Sequence, residues 1–153
     1  MALYLVQHGK SLSKGIDPER GLSEEGRAET KRIAAVAQGY RVNVKVIKHS
    51  GKKRARETAD IFDAALKAES GVQEMAGLNP LDDVSRVAEI INAGEDMMLI
   101  GHLPFMEKLT SYLITQRVDR PVFRFQNSGI VCLDQEEPNG FWIIKWALMP
   151  NIG

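Results

Sequence analysis

The feature that most limits the fold of this chain is an alternation. Short apolar runs at residues 2–6, 44–47, 72–75 and 97–100 take turns with segments whose apolar residues recur every three or four positions. The runs are too short for helices and read as buried strands; the periodic segments read as amphipathic helices. Ser23 is placed to cap the first helix, Glu24 and Glu25 sit where its dipole favours acid, and Gly39 closes it after Gln38. Ala55, Thr58, Ala59, Phe62, Ala65 and Leu66 predict a second helix over 53–68. Val84, Val87, Ala88 and Ile91 predict a third after Asp82-Asp83, and Phe105, Leu109, Tyr112 and Leu113 a fourth after Pro104. Strands alternating with helices imply parallel βαβ units.

The last third changes character. Residues 122–125, 129–133 and 141–148 are rich in Val, Ile, Phe and Trp and read as strands, with a turn at Pro138-Asn139-Gly140. Trp142 and Trp146 share a face at even spacing and read as core. A closing hairpin adds antiparallel pairing. The expected fold is therefore α/β: a three-layer α/β/α sandwich with a mixed, mostly parallel central sheet. With 153 residues, no repeat and no Pro/Ser-rich linker, residues 1–153 are read as one domain.

Charge and composition remove several functions. Twenty basic and twenty acidic side chains leave no net charge, which argues against nucleic-acid or anionic-membrane binding. No apolar run approaches the ~20 residues of a membrane helix. The one cysteine, Cys132, cannot make an internal disulfide, which suits a reducing compartment. Residues 2–6 fall short of the ~7–15 apolar residues of a signal peptide, so a cytoplasmic location is expected.

In open α/β sheets, ligands bind at the carboxyl ends of strands. All three histidines lie there: His8 after the first run, His49 after the second, His102 after the fourth. A loop histidine taken singly is an ordinary surface or capping residue; the joint placement singles out His8 and His102. Gly9 and Gly101 beside them leave room for a ligand. The basic stretch from Lys48 to Arg56 has a plain reading as a solvated helix face, which suits Lys53 and Arg56. It also opens a helix, where free N–H groups attract anions, and Arg54 one turn in offers a fork to phosphate. It lacks interleaved aromatics and the P-loop spacing. A zinc site built from the three histidines is the rival chemistry, but no metal-ligand spacing is present.

These residues, taken together, resemble the histidine phosphatase superfamily. Leu5-Val6-Gln7-His8-Gly9 resembles its first-strand signature, there Arg-His-Gly, and Leu22-Ser23-Glu24-Glu25-Gly26 its Leu-Thr-x-x-Gly helix start. His49 to Ala59 resembles its Ser-x-x-x-Arg-Ala-x-x-Thr-Ala segment, and Gly101-His102-Leu103-Pro104 its Gly-His-x-Pro block. The small size, Leu78-Asn79-Pro80 and Ser128-Gly129-Ile130 resemble the SixA-type phosphohistidine phosphatases.

The resemblance implies a mechanism without metal or cofactor. His8 would attack phosphorus and become a phosphohistidine, which water then hydrolyses; His102 and Arg54 would hold the phosphoryl oxygens. Its implied substrate is a phosphohistidine-bearing protein, such as a histidine phosphotransfer domain, and phosphate ion is the product. One departure stands out: Gln7 occupies the place of the family arginine. Losing a charge-assisted bond to phosphate costs about 1.5–3 kcal/mol, or roughly one to two decades in rate. Lys10, Lys52 and His49 are candidates to restore the charge; with Gln7 and Gly9 they form the expected phosphate-binding set. Glu74, Asp82 and Asp83 lie where a general acid is expected, although Asp82 or Asp83 also suits a helix cap. The alternative reading is a phosphate- or phosphoprotein-binding module with little turnover. Mutase-like transfer on a small sugar phosphate is disfavoured by the lack of enclosing insertions.

Overall fold

Met97-Met98-Leu99-Ile100-Gly101 carries no charged side chain, and every residue of it is buried. It is the strand β4 of a computed structural model that describes residues 2–91, 95–137 and 140–152. In chain order the elements are β1 (Ala2–Gln7), α1 (Glu24–Gly39), β2 (Val46–His49), α2 (Lys53–Leu66), β3 (Val72–Glu74), α3 (Val84–Ile90), β4, α4 (Phe105–Thr115), β5 (Ile130–Gln135) and β6 (Trp142–Leu148). One sheet takes the order β3-β2-β4-β1-β5-β6. β4 pairs in parallel with both β1 and β2, and β3 runs parallel to β2. β5 is antiparallel to both of its neighbours, β1 and β6.

The two sheet faces carry two cores. Val6, Ile47, Met98 and Ile100 meet Ile33 and Ala37 of α1 and Ala59 and Phe62 of α2. Leu3, Leu5 and Leu99 meet Val87 of α3 and Phe105, Met106 and Leu109 of α4. Strands covered on both faces need continuous apolar sequence, which is why β1 and β4 are runs and not alternations. Each buried aliphatic side chain contributes about 1.5–3 kcal/mol to holding the layers together. The three-layer mixed sandwich read from the sequence is the architecture observed.

The helix starts follow their caps. Ser23 Oγ accepts from Gly26 N–H at the head of α1, and Asp83 Oδ1 from Ser85 N–H at the head of α3. α2 has Lys52 at its N-cap and no side-chain cap.

Residues 122–125 are not a strand. Pro121 supplies no N–H, and the Phe125 N–H donates to Glu107 Oε2 instead of a ladder. Phe123 and Phe125 meet edge to face and pack on the core around α4. Trp142 and Trp146 do not share a face. The β5–β6 register passes from Cys132↔Trp146 to Leu133↔Ile144, which leaves Lys145 as an extra residue. That bulge turns Trp142 toward the α3/α4 core and Trp146 toward the α1/α2 core. Of the expected turn, Pro138 and Asn139 lie outside the described residues.

Candidate functional site

β1 leads through α1 toward β2, whereas β4, which lies between β1 and β2, leads through α4 to β5 on the other side of β1. Chains leaving adjacent strands in opposite directions open a crevice at their carboxyl ends. His8 and His102 stand there, each one residue past its strand, with ring centroids 4.9 Å apart.

The loop carrying His8 is tied from every side. Its N–H donates to Gly101 O (2.9 Å), and Asn127 Nδ2 donates to its carbonyl (2.8 Å). Ser128 N–H donates to Gln7 O, and Gly9 N–H donates to Thr58 Oγ1. Gly9 is required by packing: a Cβ there would lie 2.7 Å from Thr30 Oγ1 and 3.1 Å from Ser128 Oγ. At Gly101 a Cβ would lie 2.6 Å from Met106 Cε. Protein atoms, not a ligand, fill the space expected at both glycines.

The His8 tautomer follows from its partners. Nδ1 lies 2.7 Å from the carbonyl of Gly9, which can only accept, so Nδ1 carries the proton. Nε2 keeps its lone pair, toward which Arg54 Nε–H points at a long 3.4 Å. Burial pushes the His8 pKa down to about 4, and the charges of Arg54 and Arg20 press the same way against the Gly9 bond. The imidazole is therefore neutral and nucleophilic at neutral pH.

His102 is almost fully buried. Its Nε2 shares a 2.6 Å hydrogen bond with Ser50 Oγ, and its Nδ1 has no partner among the described residues. Burial first, then His8, Arg54, Lys52 and Arg20, hold its pKa down to about 3.

The remaining expected residues separate into those that reach this crevice and those that do not. Arg54 joins it from the first turn of α2, at the uncapped end where helix N–H groups favour an anion. Lys52 lies on the same wall and remains exposed. Lys10 turns away, its Nζ 2.7 Å from Glu25 and 3.5 Å from Glu29. His49 is buried, its Nδ1 accepts from Gly51 N–H, and burial lowers its pKa; it shapes the turn after β2 as a neutral ring. Gln7 brings no charge, and its Oε1 is buried without a partner among the described residues.

Among the acid candidates, Asp83 is exposed and accepts from both Ser85 N–H and Ser85 Oγ–H, which holds its carboxyl below the usual range. Asp82 accepts from Asn79 N–H. Glu74, opposite His49 in the ladder, packs its carboxylate against Gly51. Gly51 has φ +91°, and a Cβ there would collide with Glu74 Oε1. Of the three carboxylates, only Glu74 touches the turn that carries Ser50.

Sequence reasoning missed four contributors: Ser50, Thr58, Asn127 and Arg20. Ser50 and Thr58 sit inside the quoted motif and were readable as polar residues at a strand end and a helix face. Asn127 and Arg20 lie in stretches without periodicity.

The model of the histidine phosphatase superfamily (branch 1) matches residues 3–82, just over half of the chain. The protein histidine phosphatase SixA, solved with tungstate, superposes with a TM-score of 0.86 at 24% identity, over 98% of this chain and 97% of that one. A SixA-named protein from Agrobacterium tumefaciens gives a TM-score of 0.78 at 25% identity, over 97% of each chain. A mycobacterial glucosyl-3-phosphoglycerate phosphatase in complex with VO3 gives 0.76 at 16% identity, over 97% of this chain and 99% of that one, a likeness of fold. No curated protein matches the sequence. No helix among the described residues is long and apolar enough to cross a membrane.

Proposed function

The chain belongs to the histidine phosphatase superfamily, branch 1, and on that premise we propose that it is a phosphohistidine phosphatase acting on a partner protein. The observation that carries this is the state of His8: a neutral ring whose Nε2 lone pair is presented between Arg54 and His102 at the strand-end crevice.

The chemistry is a pair of displacements. His8 Nε2 attacks the phosphorus of a phosphohistidine, a P–N bond forms on His8, and the bond to the substrate imidazole breaks. The leaving nitrogen takes up a proton. Water then attacks the phosphorus, the P–Nε2 bond breaks, and phosphate leaves with His8 regenerated. Splitting one displacement in two lowers each barrier. Charge on the transferring group is met by Arg54 and by His102, which donates from Nε2, the atom Ser50 satisfies in the free site. Glu74 is the carboxylate we assign to proton transfer. An imidazole leaves more readily than an alkoxide, so a modest acid suits this substrate. An open crevice admits a protein side chain, and a histidine phosphotransfer domain is the partner class that fits.

Gln7 favours a second reading, a binding module with little turnover, because it leaves the first-strand position uncharged. One experiment separates the two. A phosphohistidine-bearing protein is incubated, with EDTA present, with wild type and with His8→Ala. Release of phosphate by wild type alone is the expected result, and it establishes a His8-dependent phosphatase that needs no chelatable metal. Phosphate binding by calorimetry without release by wild type would put the binding module in its place.

A further inference from the structure

Most half-buried cations near the site are neutralised. Lys53 lies 3.0 Å from Asp17 and 3.8 Å from Glu19, and Arg27 lies 2.6 Å from Glu57. Two guanidinium groups are not. Among the described residues, the Arg54 guanidinium hydrogen-bonds only the neutral His8 ring, and that of Arg20 only Leu12 O (3.4 Å) and Ser11 Oγ (3.3 Å), both uncharged. Neither pairs with a carboxylate among the described residues, although Asp17, Glu19 and Glu57 surround the segment. Lys14, Lys52 and Arg56 also lack such partners, but they are exposed, and water solvates them. Arg20 and Arg54 are half-buried and line one cavity of about 370 Å³ together with Gly51 and Lys52. Partly desolvated cations left unpaired side by side are a receptor for an anion of more than one charge.

The backbone holds Arg20 there at a cost. Its φ is +53°, a left-handed conformation that a long side chain rarely adopts. The next two residues fix it: Gly21 N–H donates to Asp17 Oδ2 (2.8 Å), and Leu22 N–H donates to Glu57 Oε1 (2.9 Å). A Cβ on Gly21 would meet Glu57 Oε1 at 2.6 Å and Lys53 Cε at 2.9 Å and so displace the carboxylate that holds Leu22. The carboxylates around Arg20 are thus spent on backbone N–H groups, on Lys53 and on Arg27, not on its guanidinium.

Resting on the phosphatase reading of the same site, we propose that Arg20 is a second guanidinium on the phosphoryl group and supplies from the loop before α1 the charge that position 7 lacks. Its field already reaches the site: its charge is among those that lower the His8, His102 and Arg54 pKa values. Neither Lys10, tied to Glu25 and Glu29, nor the neutral His49 is placed to do this.

The test uses Arg20→Asn, because asparagine tolerates the left-handed backbone and removes only the charged fork. Arg20→Lys keeps the charge without the fork, and Arg20→Asn/Gln7→Arg returns a guanidinium from the first strand. Two readouts are taken: affinity for inorganic phosphate by calorimetry, and kcat/KM on a phosphohistidine-bearing protein. Arg20→Asn is expected to lower both by about 10- to 100-fold, and Arg20→Lys by about 3- to 10-fold. The double variant should recover at least about tenfold of what Arg20→Asn loses, a rescue that a structural role for Arg20 does not produce. Phosphate affinity and turnover within about twofold of wild type in Arg20→Asn would overturn the proposal, as would loss without rescue by Gln7→Arg. Absence of turnover in wild type itself would count against the phosphatase reading alone, since the phosphate affinities still decide on Arg20.

Discussion

In the proposed reaction the attacking histidine must be neutral, and the surroundings of His8 keep its ring so. Burial dominates, and the positive charges of Arg54 and Arg20 add to it; the Gly9 carbonyl opposes both and loses. The sign of the pH dependence follows. With a native pKa of about 4, His8 stays unprotonated through the range where a free histidine, near 6.5, takes up its proton. kcat/KM reports groups of the free enzyme. It should stay level from pH 7 to about 5 and fall only as pH passes below about 4. An acid limb centred between about 6 and 7 would refute this state of His8. The unfolded chain, by contrast, binds protons on His8 and His102 below about 6.5 that the folded chain refuses. Stability is therefore full above that pH and declines as pH falls toward the native values of about 4 and about 3. Urea unfolding at pH 7 and pH 5 checks this second consequence.

At the scale of the element, helix starts decide which acidic and cationic groups are free for chemistry. α1 and α3 are capped by side chains, and α2 is not. Asp83 gives both acceptor contacts of one oxygen to Ser85, the contacts of a helix cap. Asp83→Ala should cost about 1 kcal/mol of stability. That corresponds to a melting temperature lower by about 2–4 °C for a chain of this size. Turnover should remain within about twofold of wild type, because capping energy is not transition-state energy. A fall of about tenfold or more in kcat with an unchanged melting temperature would return Asp83 to the catalytic set. The side-chain N-caps, the periodic helices and the placement of His8 and His102 were legible in the sequence, because each is a local pattern; the end of α1 was not, since Gly39 is still helical and Tyr40 is the C-cap. The faces of β6 were not: a single extra residue at Lys145 reverses the side-chain alternation, and period-two spacing carries no sign of it. Residues 122–125 misled for a related reason. Phe123 and Phe125 serve packing on the core around α4, while the Phe125 N–H goes to Glu107 and not to a neighbour strand.

At the scale of the molecule, the site exists because β4 lies between β1 and β2, an order that no stretch of sequence displays. Strand-end placement pointed to His8, Arg54 and His102 all the same, since each closes or follows a strand whose end is fixed by its own apolar run. Arg20 escaped because its position depends on Glu57, far along the chain, holding Leu22. Charge was misleading in the same way. Twenty positive and twenty negative side chains cancel over the whole chain, yet Lys14, Arg20, Lys52, Lys53, Arg54 and Arg56 gather around one cavity in which Glu19 is the opposing lining residue. A neutral molecule with a cationic crevice steers an anionic partner only while salt leaves the field intact, and the screening length falls from about 14 to about 7 Å between roughly 50 and 200 mM salt. Raising NaCl across that range should therefore raise KM for an acidic phosphohistidine-bearing protein by about three- to tenfold. kcat should change little, because the groups at the phosphorus are half-buried and less screened. A KM indifferent to salt would mean that these cations act on the phosphoryl group alone and that the partner is recognised by apolar contact.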